Sequence, residues 1–90
     1  MRIDLLLNKL CLVKTRSIAK KACDNNLVAI NDKTAKASAT ITEGDTVRFD
    51  LSGYRNILRI TQIPKGNVSK KTAPEFYEVI SHEKLEIPEN

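Results

Sequence analysis

Apolar side chains recur at helical spacing near the start of the chain and again after a short polar break. In the first run they occupy positions i, i+3, i+4 and i+7, which predicts a helix over residues 3–12. The second run predicts a helix within residues 14–25, whose buried face carries small side chains that allow close packing. The apolar positions are Ile3, Leu6, Leu7 and Leu10 in the first helix, and Ile18, Ala19 and Ala22 in the second.

The pattern changes from helical to strand periodicity after Asn25 and Asn26. Residues 27–30, 46–51 and 54–63 predict strands, and the middle one alternates cleanly, with Val47, Phe49 and Leu51 on one face. Turn signals separate the strands. The predicted fold class is therefore α+β, with a two-helix N-terminal unit packed on a small twisted antiparallel sheet.

The C-terminal part predicts a short extension of this fold. Pro74 suits a first helical position, so a short helix is expected over residues 75–80, with Phe76, Tyr77 and Ile80 packing on the sheet. Residues 84–90 are expected to fray. We divide the chain into an N-terminal unit, residues 1–53, and a C-terminal strand, short helix and acidic tail, residues 54–90.

Composition excludes several classes of protein. The chain has 90 residues, 4% aromatics and no Trp, so aliphatic side chains must form the core of one small domain. It lacks a secretory signal and any apolar run near the roughly 20 residues that cross a bilayer, so we expect a cytoplasmic protein without membrane contact. Cys11 and Cys23 are predicted as small core residues, and with His82 as the only histidine we expect neither metal nor cofactor.

Positive charge is concentrated in the N-terminal part of the chain. Residues 1–36 carry eight basic and three acidic side chains, a net charge of +5, and residues 37–73 carry six and three, a net charge of +3. Residues 74–90 carry one basic and five acidic side chains, a net charge of −4, which masks the polycation in the overall value of +4. Such asymmetry indicates a nucleic-acid surface.

The densest basic cluster coincides with the start of the second predicted helix. Thr15 is a plausible N-cap, which places Arg16 at the helix start and Lys20 one turn along the same face. Lys14, Ser17 and Lys21 complete the cluster. Because helix starts attract anions, these groups suit a phosphate, and repeated phosphates form a nucleic-acid backbone. For the isolated helix, an ordinary solvated basic face explains the same residues equally well.

Four segments in order resemble the RNA-binding domain of ribosomal small-subunit protein four, also called the alpha-L motif. They are Arg2-Ile3-Asp4, Lys14-Thr15-Arg16-Ser17-Ile18-Ala19, Val28-Ala29-Ile30-Asn31 and Gly44-Asp45-Thr46-Val47. Each segment alone is a weak signal, but their order and spacing match over residues 1–51. The short length and the Pro74-Glu75-Phe76-Tyr77-Glu78 segment narrow the resemblance to the heat-shock protein fifteen group of ribosome-associated factors.

The resemblance implies a partner and a role. Members of that group bind the large ribosomal subunit, particularly when it carries a stalled peptidyl-tRNA, and act in rescue or quality control of blocked nascent chains. We therefore expect RNA and the ribosome as partners, with ribosomal RNA of the large subunit and peptidyl-tRNA as the candidate ligands. A non-catalytic protein is expected, and a monomer is the default state.

The resemblance also assigns candidate RNA-binding residues. The family's concave face corresponds to Arg2, Lys14, Thr15, Arg16, Ser17, Lys20, Asn31, Lys33 and Lys36, to which the basic cluster adds Lys21. Leu5 and Leu27 stand where many members have a basic residue, which implies weaker or narrower RNA contact than in the most basic relatives, without loss of the activity. Asn26 and Asp32 replace family glycines, a tolerable change at left-handed positions.

The hypothesis is docking on structured RNA through phosphate and ribose contacts, with affinity that falls steeply with salt. The scarcity of aromatics argues against a stacking platform, and Tyr54 is expected to be a half-buried sheet residue. Two alternatives remain: an enzyme, for which the chain has neither room nor a catalytic set, and a protein-interaction adaptor that binds through its acidic tail. The RNA hypothesis requires that residues 14–20 and 31–36 form one positive hollow and that Arg16 is not buried against an internal carboxylate.

Overall fold

Two short helices form the N-terminal unit of the protein, whose computed structural model describes residues 1–85. Helix α1 spans Ile3–Lys9 and helix α2 spans Arg16–Asp24. As predicted, Thr15 caps α2, because its side-chain oxygen accepts a hydrogen bond from the amide of Ile18 at 3.2 Å. The two helices pack against each other through small and aliphatic side chains.

Helix α1 ends earlier than the sequence predicts. Its C-cap is Leu10, and Cys11 follows in the left-handed region with φ 58°. The amide of Cys11 donates to the carbonyl of Asn8, and the amide of Leu12 donates to Leu7, which is the hydrogen-bond pattern of a Schellman motif. This turn exposes Cys11, so its prediction as a core residue was wrong, whereas Cys23 is buried.

Five antiparallel strands form one sheet in the order β2-β1-β3-β4-β5. Strands β3 and β4 meet at a two-residue turn, where Ser52 and Gly53 both have positive φ, as right-handed sheet twist favours in hairpins. The α+β prediction of two helices on a small antiparallel sheet is confirmed. The strands are β1 Val28–Ile30, β2 Lys33–Thr34, β3 Thr46–Leu51, β4 Tyr54–Ile60 and β5 Tyr77–Lys84.

The core lies between the two helices and one face of the sheet. Strand alternation places apolar side chains of β1, β3 and β4 on this face, opposite the apolar stripe of α1. Aliphatic residues dominate it, as the low aromatic content predicts. The largest fully buried apolar side chains are Ile3, Leu6, Leu7, Leu10, Val28, Ile41, Val47 and Ile60.

The C-terminal part differs from the prediction of a helix over residues 75–80. Pro74 does start a helical segment, but this is a 3-10 helix limited to Ala73–Phe76, and β5 follows directly. Between Ile57 and Leu58 the register of β4 with β5 shifts, which leaves Ile80 without a direct partner and 56% exposed. Ile80 therefore does not pack on the sheet. Most of the predicted frayed end, residues 86–90, lies outside the described residues, while Lys84 is part of β5.

Within residues 1–85, no helix combines the length and the apolar character that crossing a membrane requires.

Candidate nucleic-acid interface

The start of α1 and the start of α2 converge on a buried carboxylate, Asp4. Its side chain is only 3% exposed, whereas those of Arg2 and Arg16 are 49% and 47% exposed. Arg2 donates from Nε and Nη2 to the two oxygens of Asp4 at 3.2 and 3.1 Å, and Arg16 donates from Nε to Oδ2 at 3.3 Å. Asp4 Oδ1 also accepts the amide of Leu5 at 2.7 Å. One carboxylate thus fixes two guanidinium groups at the surface.

These side chains line a shallow hollow of about 270 Å³, which we call the arginine hollow; its lining residues are Arg2, Asp4, Arg16, Ser17 and Lys20. Within the described residues, the contacts with Asp4 leave Nη1 of Arg2 and both Nη atoms of Arg16 for an external acceptor. Three cations against one anion give the hollow a net positive charge of two. A planar guanidinium held in this way suits a bidentate contact with phosphate.

A second hollow of about 340 Å³, the lysine hollow, contains Lys33 and Lys36 and extends to Ala39 and Thr40. It adjoins the arginine hollow through the backbone, because Arg2 forms an antiparallel bridge with Thr40. The amide of Ile3 also donates to the carbonyl of Ala39 at 2.8 Å. Lys33 and Lys36 are therefore in one hollow, and Arg16 and Lys20 are in another. The Arg2–Thr40 bridge links the two hollows, because Arg2 lines one and Thr40 lines the other.

Lys14 and Lys21 lie outside the arginine hollow. Lys14 lines a larger cavity of about 580 Å³, the Lys14 hollow, together with Cys11, Ile18, Ser52 and Lys70 among others. Lys21 lines a hollow along α2 that also includes Ser17, Lys20 and Asp24, so it adjoins the arginine hollow on the helix surface. The structure thus distributes the predicted cations over adjoining hollows rather than one.

Two of the candidate residues, Thr15 and Asn31, use their side chains for hydrogen bonds within the protein. Thr15 caps α2, as described above. Asn31 has φ 50° and joins β1 to the start of β3: its Nδ2 donates to Asp45 at 3.0 Å and its Oδ1 accepts the amide of Thr46 at 3.0 Å. The hydrogen bonds from Asn31 and from the Thr42 backbone lower the pKa of Asp45. Asn31 therefore positions the turn after β1.

The other expected backbone features agree with the structure. Asn26 and Asp32, which stand for family glycines, both adopt left-handed conformations with φ 59° and 68°. Gly44 has φ 88°, which favours glycine. These turns set the position of the loop that carries Lys33 and Lys36 relative to the helices.

Two contributors were missed from the sequence. From the sequence, Asp4 was named only as part of the Arg2-Ile3-Asp4 segment, and its carboxylate was assigned no role in positioning the arginines. Lys70 lines the Lys14 hollow from a distant loop, and nothing in its sequence surroundings pointed there. In residues 1–85, the His, Cys, Asp and Glu side chains do not gather into a group of three that could bind a metal.

The helix pair, the sheet order and the cationic hollows at the helix starts together define a small α+β domain of the RNA-binding type. Residues 1–47 match the model of the S4 domain, and the chain belongs to this family. The resemblance noted from the sequence is thereby confirmed.

Relatives and solved structures agree with the family assignment. The chain is 34% identical over 87 residues to the "RQC P-site tRNA stabilizing factor" of Bacillus subtilis, a match covering 94% of this chain and 98% of that protein. The solution structure of hypothetical protein HP1423 superposes with a TM-score of 0.77 at 33% identity, covering 90% and 98% of the two chains. The trimeric heat shock protein 15 of Vibrio cholerae shares the fold, with a TM-score of 0.83 at 22% identity over 90% and 82% of the chains.

Proposed function

We propose that this protein is a non-catalytic factor that binds structured RNA on the ribosome through the arginine hollow. The observation that carries the proposal is the arrangement around Asp4, which holds Arg2 and Arg16 half-exposed and leaves some of their Nη donors without a hydrogen bond within residues 1–85. The pairing with Asp4 does not bury Arg16, so its guanidinium stays available. The lysine hollow extends the same surface.

This surface is better suited to contacts with phosphate and ribose groups than to sequence-specific contacts with base edges. A-form RNA presents a deep, narrow major groove that side chains cannot enter, so recognition depends on backbone shape and charge. Arg16 would contact a phosphate bidentately through its two Nη atoms, and Arg2 would contact one through Nη1. Lys20, Lys33 and Lys36 would contribute point charges around them. Ser17, whose amide is in the first turn of α2, adds a donor at the positive end of the helix.

The setting we propose is the large ribosomal subunit with a tRNA in the P site, in quality control of stalled nascent chains. The names of relatives that match almost the full length of this chain support this setting. Large-subunit ribosomal RNA and the P-site tRNA are then the ligands, and the cytoplasm is the place of action. We propose a monomer as the working state; a trimer in analytical ultracentrifugation at working concentration would contradict it.

Cosedimentation with purified large subunits, with and without P-site peptidyl-tRNA, tests this function. Lys20→Ala and Arg16→Gln each remove a charge from the arginine hollow and should weaken subunit binding by about tenfold or more. Lys65→Ala is the matched control, because Lys65 is an exposed lysine that lines none of these hollows.

Binding that all three variants retain equally would contradict the proposal and favour an adaptor that binds through another surface. Circular dichroism of each variant confirms that the fold is intact.

A further inference from the structure

Tyr54 and His82 stack on each other at the end of the sheet where the β3–β4 turn lies. Their ring centroids are 4.7 Å apart and their planes are 10° from parallel. Tyr54 is 39% exposed, in keeping with the half-buried position expected from the sequence, and His82 is exposed. The other three aromatic residues of the chain, Phe49, Phe76 and Tyr77, pack in or against the core. Within residues 1–85, the most exposed aromatic side chain thus stacks on the imidazole of His82.

The side chains beside the stacked rings are polar, and one of them is a cation, Lys84. Asn56 pairs with His82 across strands β4 and β5, and Tyr54 pairs with Lys84, so strand alternation places all four side chains on one face. The Oδ1 atom of Asn56 and Nδ1 of His82 form a hydrogen bond, which fixes the orientation of the imidazole ring. Both rings therefore have defined positions at an open surface.

We propose that Tyr54 and His82 form a platform on which one unpaired nucleobase of the bound RNA stacks, an inference that rests on the proposed function. Every base has an aromatic face, so such a platform accepts bases without reading their sequence. A parallel ring pair leaves the outer ring faces for a third ring. Lys84 would contact the phosphate of the stacked nucleotide.

The position of the platform is compatible with a strand that also contacts the helices. Ser52, two residues before Tyr54, lines the Lys14 hollow together with Lys14 and Lys70. These two lysines border the path from the start of α2 to the β3–β4 turn. An RNA strand leaving the duplex would have cations for its backbone on this path before reaching the rings.

A pair of labelled RNA oligomers separates stacking from charge. One is a cytidine hexamer, and the other is an abasic hexamer with the same number of phosphates. Fluorescence anisotropy of the full chain should show the cytidine hexamer binding about tenfold tighter, as expected for one stacked base. Tyr54→Leu and His82→Gln should remove this preference, while Val79→Thr should keep it, since Val79 is 61% exposed on the same strand, β5.

The result for Arg16→Gln distinguishes this proposal from the proposed function. That variant should lose subunit binding and retain the preference for the base-bearing hexamer. Equal binding of both hexamers by the wild type would overturn the platform, as would a preference that survives loss of either ring. The second result would mean that the stack only joins β4 to β5.

A second measurement applies if Tyr54→Leu fails to fold. In proton NMR spectra of the wild type, upfield shifts of the Tyr54 and His82 ring protons on adding the cytidine hexamer would support stacking. The absence of these shifts would overturn it.

Discussion

Asp4 is a buried carboxylate that also holds two arginines at the surface of the proposed RNA-binding site. Its carboxylate is buried, yet each of its two arginine partners is about half exposed. Removing a partner from a buried charge costs more than the pair contributes, because the charge left behind has lost its hydration. With two partners, Asp4 keeps one when the other is removed.

This redundancy predicts non-additive stability losses. Arg2→Ala and Arg16→Ala should each lower the free energy of unfolding by about 1 kcal/mol, since one ion pair remains. The double variant should lose roughly 3 kcal/mol or more, because the carboxylate is then buried without a cation. Urea titrations of the four proteins complete the double-mutant cycle. In an Asp4→Asn background the coupling energy between the Arg2 and Arg16 substitutions should vanish. If the two stability losses simply add in the protein that retains Asp4, this account is contradicted.

Cys23 makes stability depend on pH in the alkaline range. Burial, and then the charges of Asp4 and Asp24, raise the pKa of its thiol from 9.0 to about 11. Because the pKa is higher in the folded than in the unfolded state, the folded protein holds the thiol proton more tightly. The contribution of the protonated thiol to the free energy of unfolding is therefore complete below pH 9 and is lost as the pH rises towards 11. The urea midpoint should therefore fall over this interval, and it should fall less in Cys23→Ala. An equal fall in both proteins would exclude Cys23 as the cause.

At the level of elements, both helices end in the same way. After α1 and after α2, a left-handed residue makes a Schellman motif, and neither residue is glycine: Cys11 has φ 58° and Asn26 has φ 59°. Asn tolerates this conformation through its short polar side chain, whereas Cys does not have that advantage. Cys11 is thus the more strained of the two helix ends.

Cys11→Gly should therefore stabilise the protein by about 1 kcal/mol, because glycine adopts positive φ without steric cost. The side chain of Cys11 is exposed, so little packing is lost with it. Cys11→Ala is the matched control, since it removes the thiol but keeps the steric conflict, and its thermal midpoint should stay near that of the wild type. A gain of equal size in both variants would assign the effect to the thiol instead.

The elements that could be predicted from the sequence are those whose local patterns agree with their burial. Helix α2, with its Thr15 cap, lies within the predicted range of residues 14–25, and strand β3, with its clean alternation, has the predicted bounds of residues 46–51. Strand β5 was missed because it lies at the sheet edge, with its side chains largely exposed. In addition, the consecutive apolar residues Val79 and Ile80 interrupt its alternation at the bulge. The pairing of Arg16 with Asp4 depends on helix packing, which no local pattern specifies.

At the level of the whole molecule, charge and shape are organised together. The protein is elongated, 45 by 23 by 23 Å, and the arginine and lysine hollows lie at the starts of the helices and beside β1. Strand β5 carries Glu78 and Glu83, which pair in register with Arg59 and Arg55 of β4. The two glutamates of the edge strand β5 balance the two arginines of β4, so this edge of the sheet is close to neutral. The excess positive charge therefore lies mainly at the hollows.

This distribution predicts a defined salt dependence of RNA binding. If Arg2, Arg16, Lys20, Lys33 and Lys36 each neutralise a phosphate, the logarithm of the binding constant should fall with the logarithm of salt concentration with a slope of about −4. Lys20→Ala should reduce the magnitude of the slope by about 1, because one counterion fewer is released. Lys65→Ala should leave the slope unchanged, since Lys65 lines none of the hollows. Anisotropy titrations with a labelled RNA hairpin over a series of salt concentrations measure all three slopes. A slope near zero in the wild type, or the same reduction in both variants, would show that these hollows do not contact the RNA backbone.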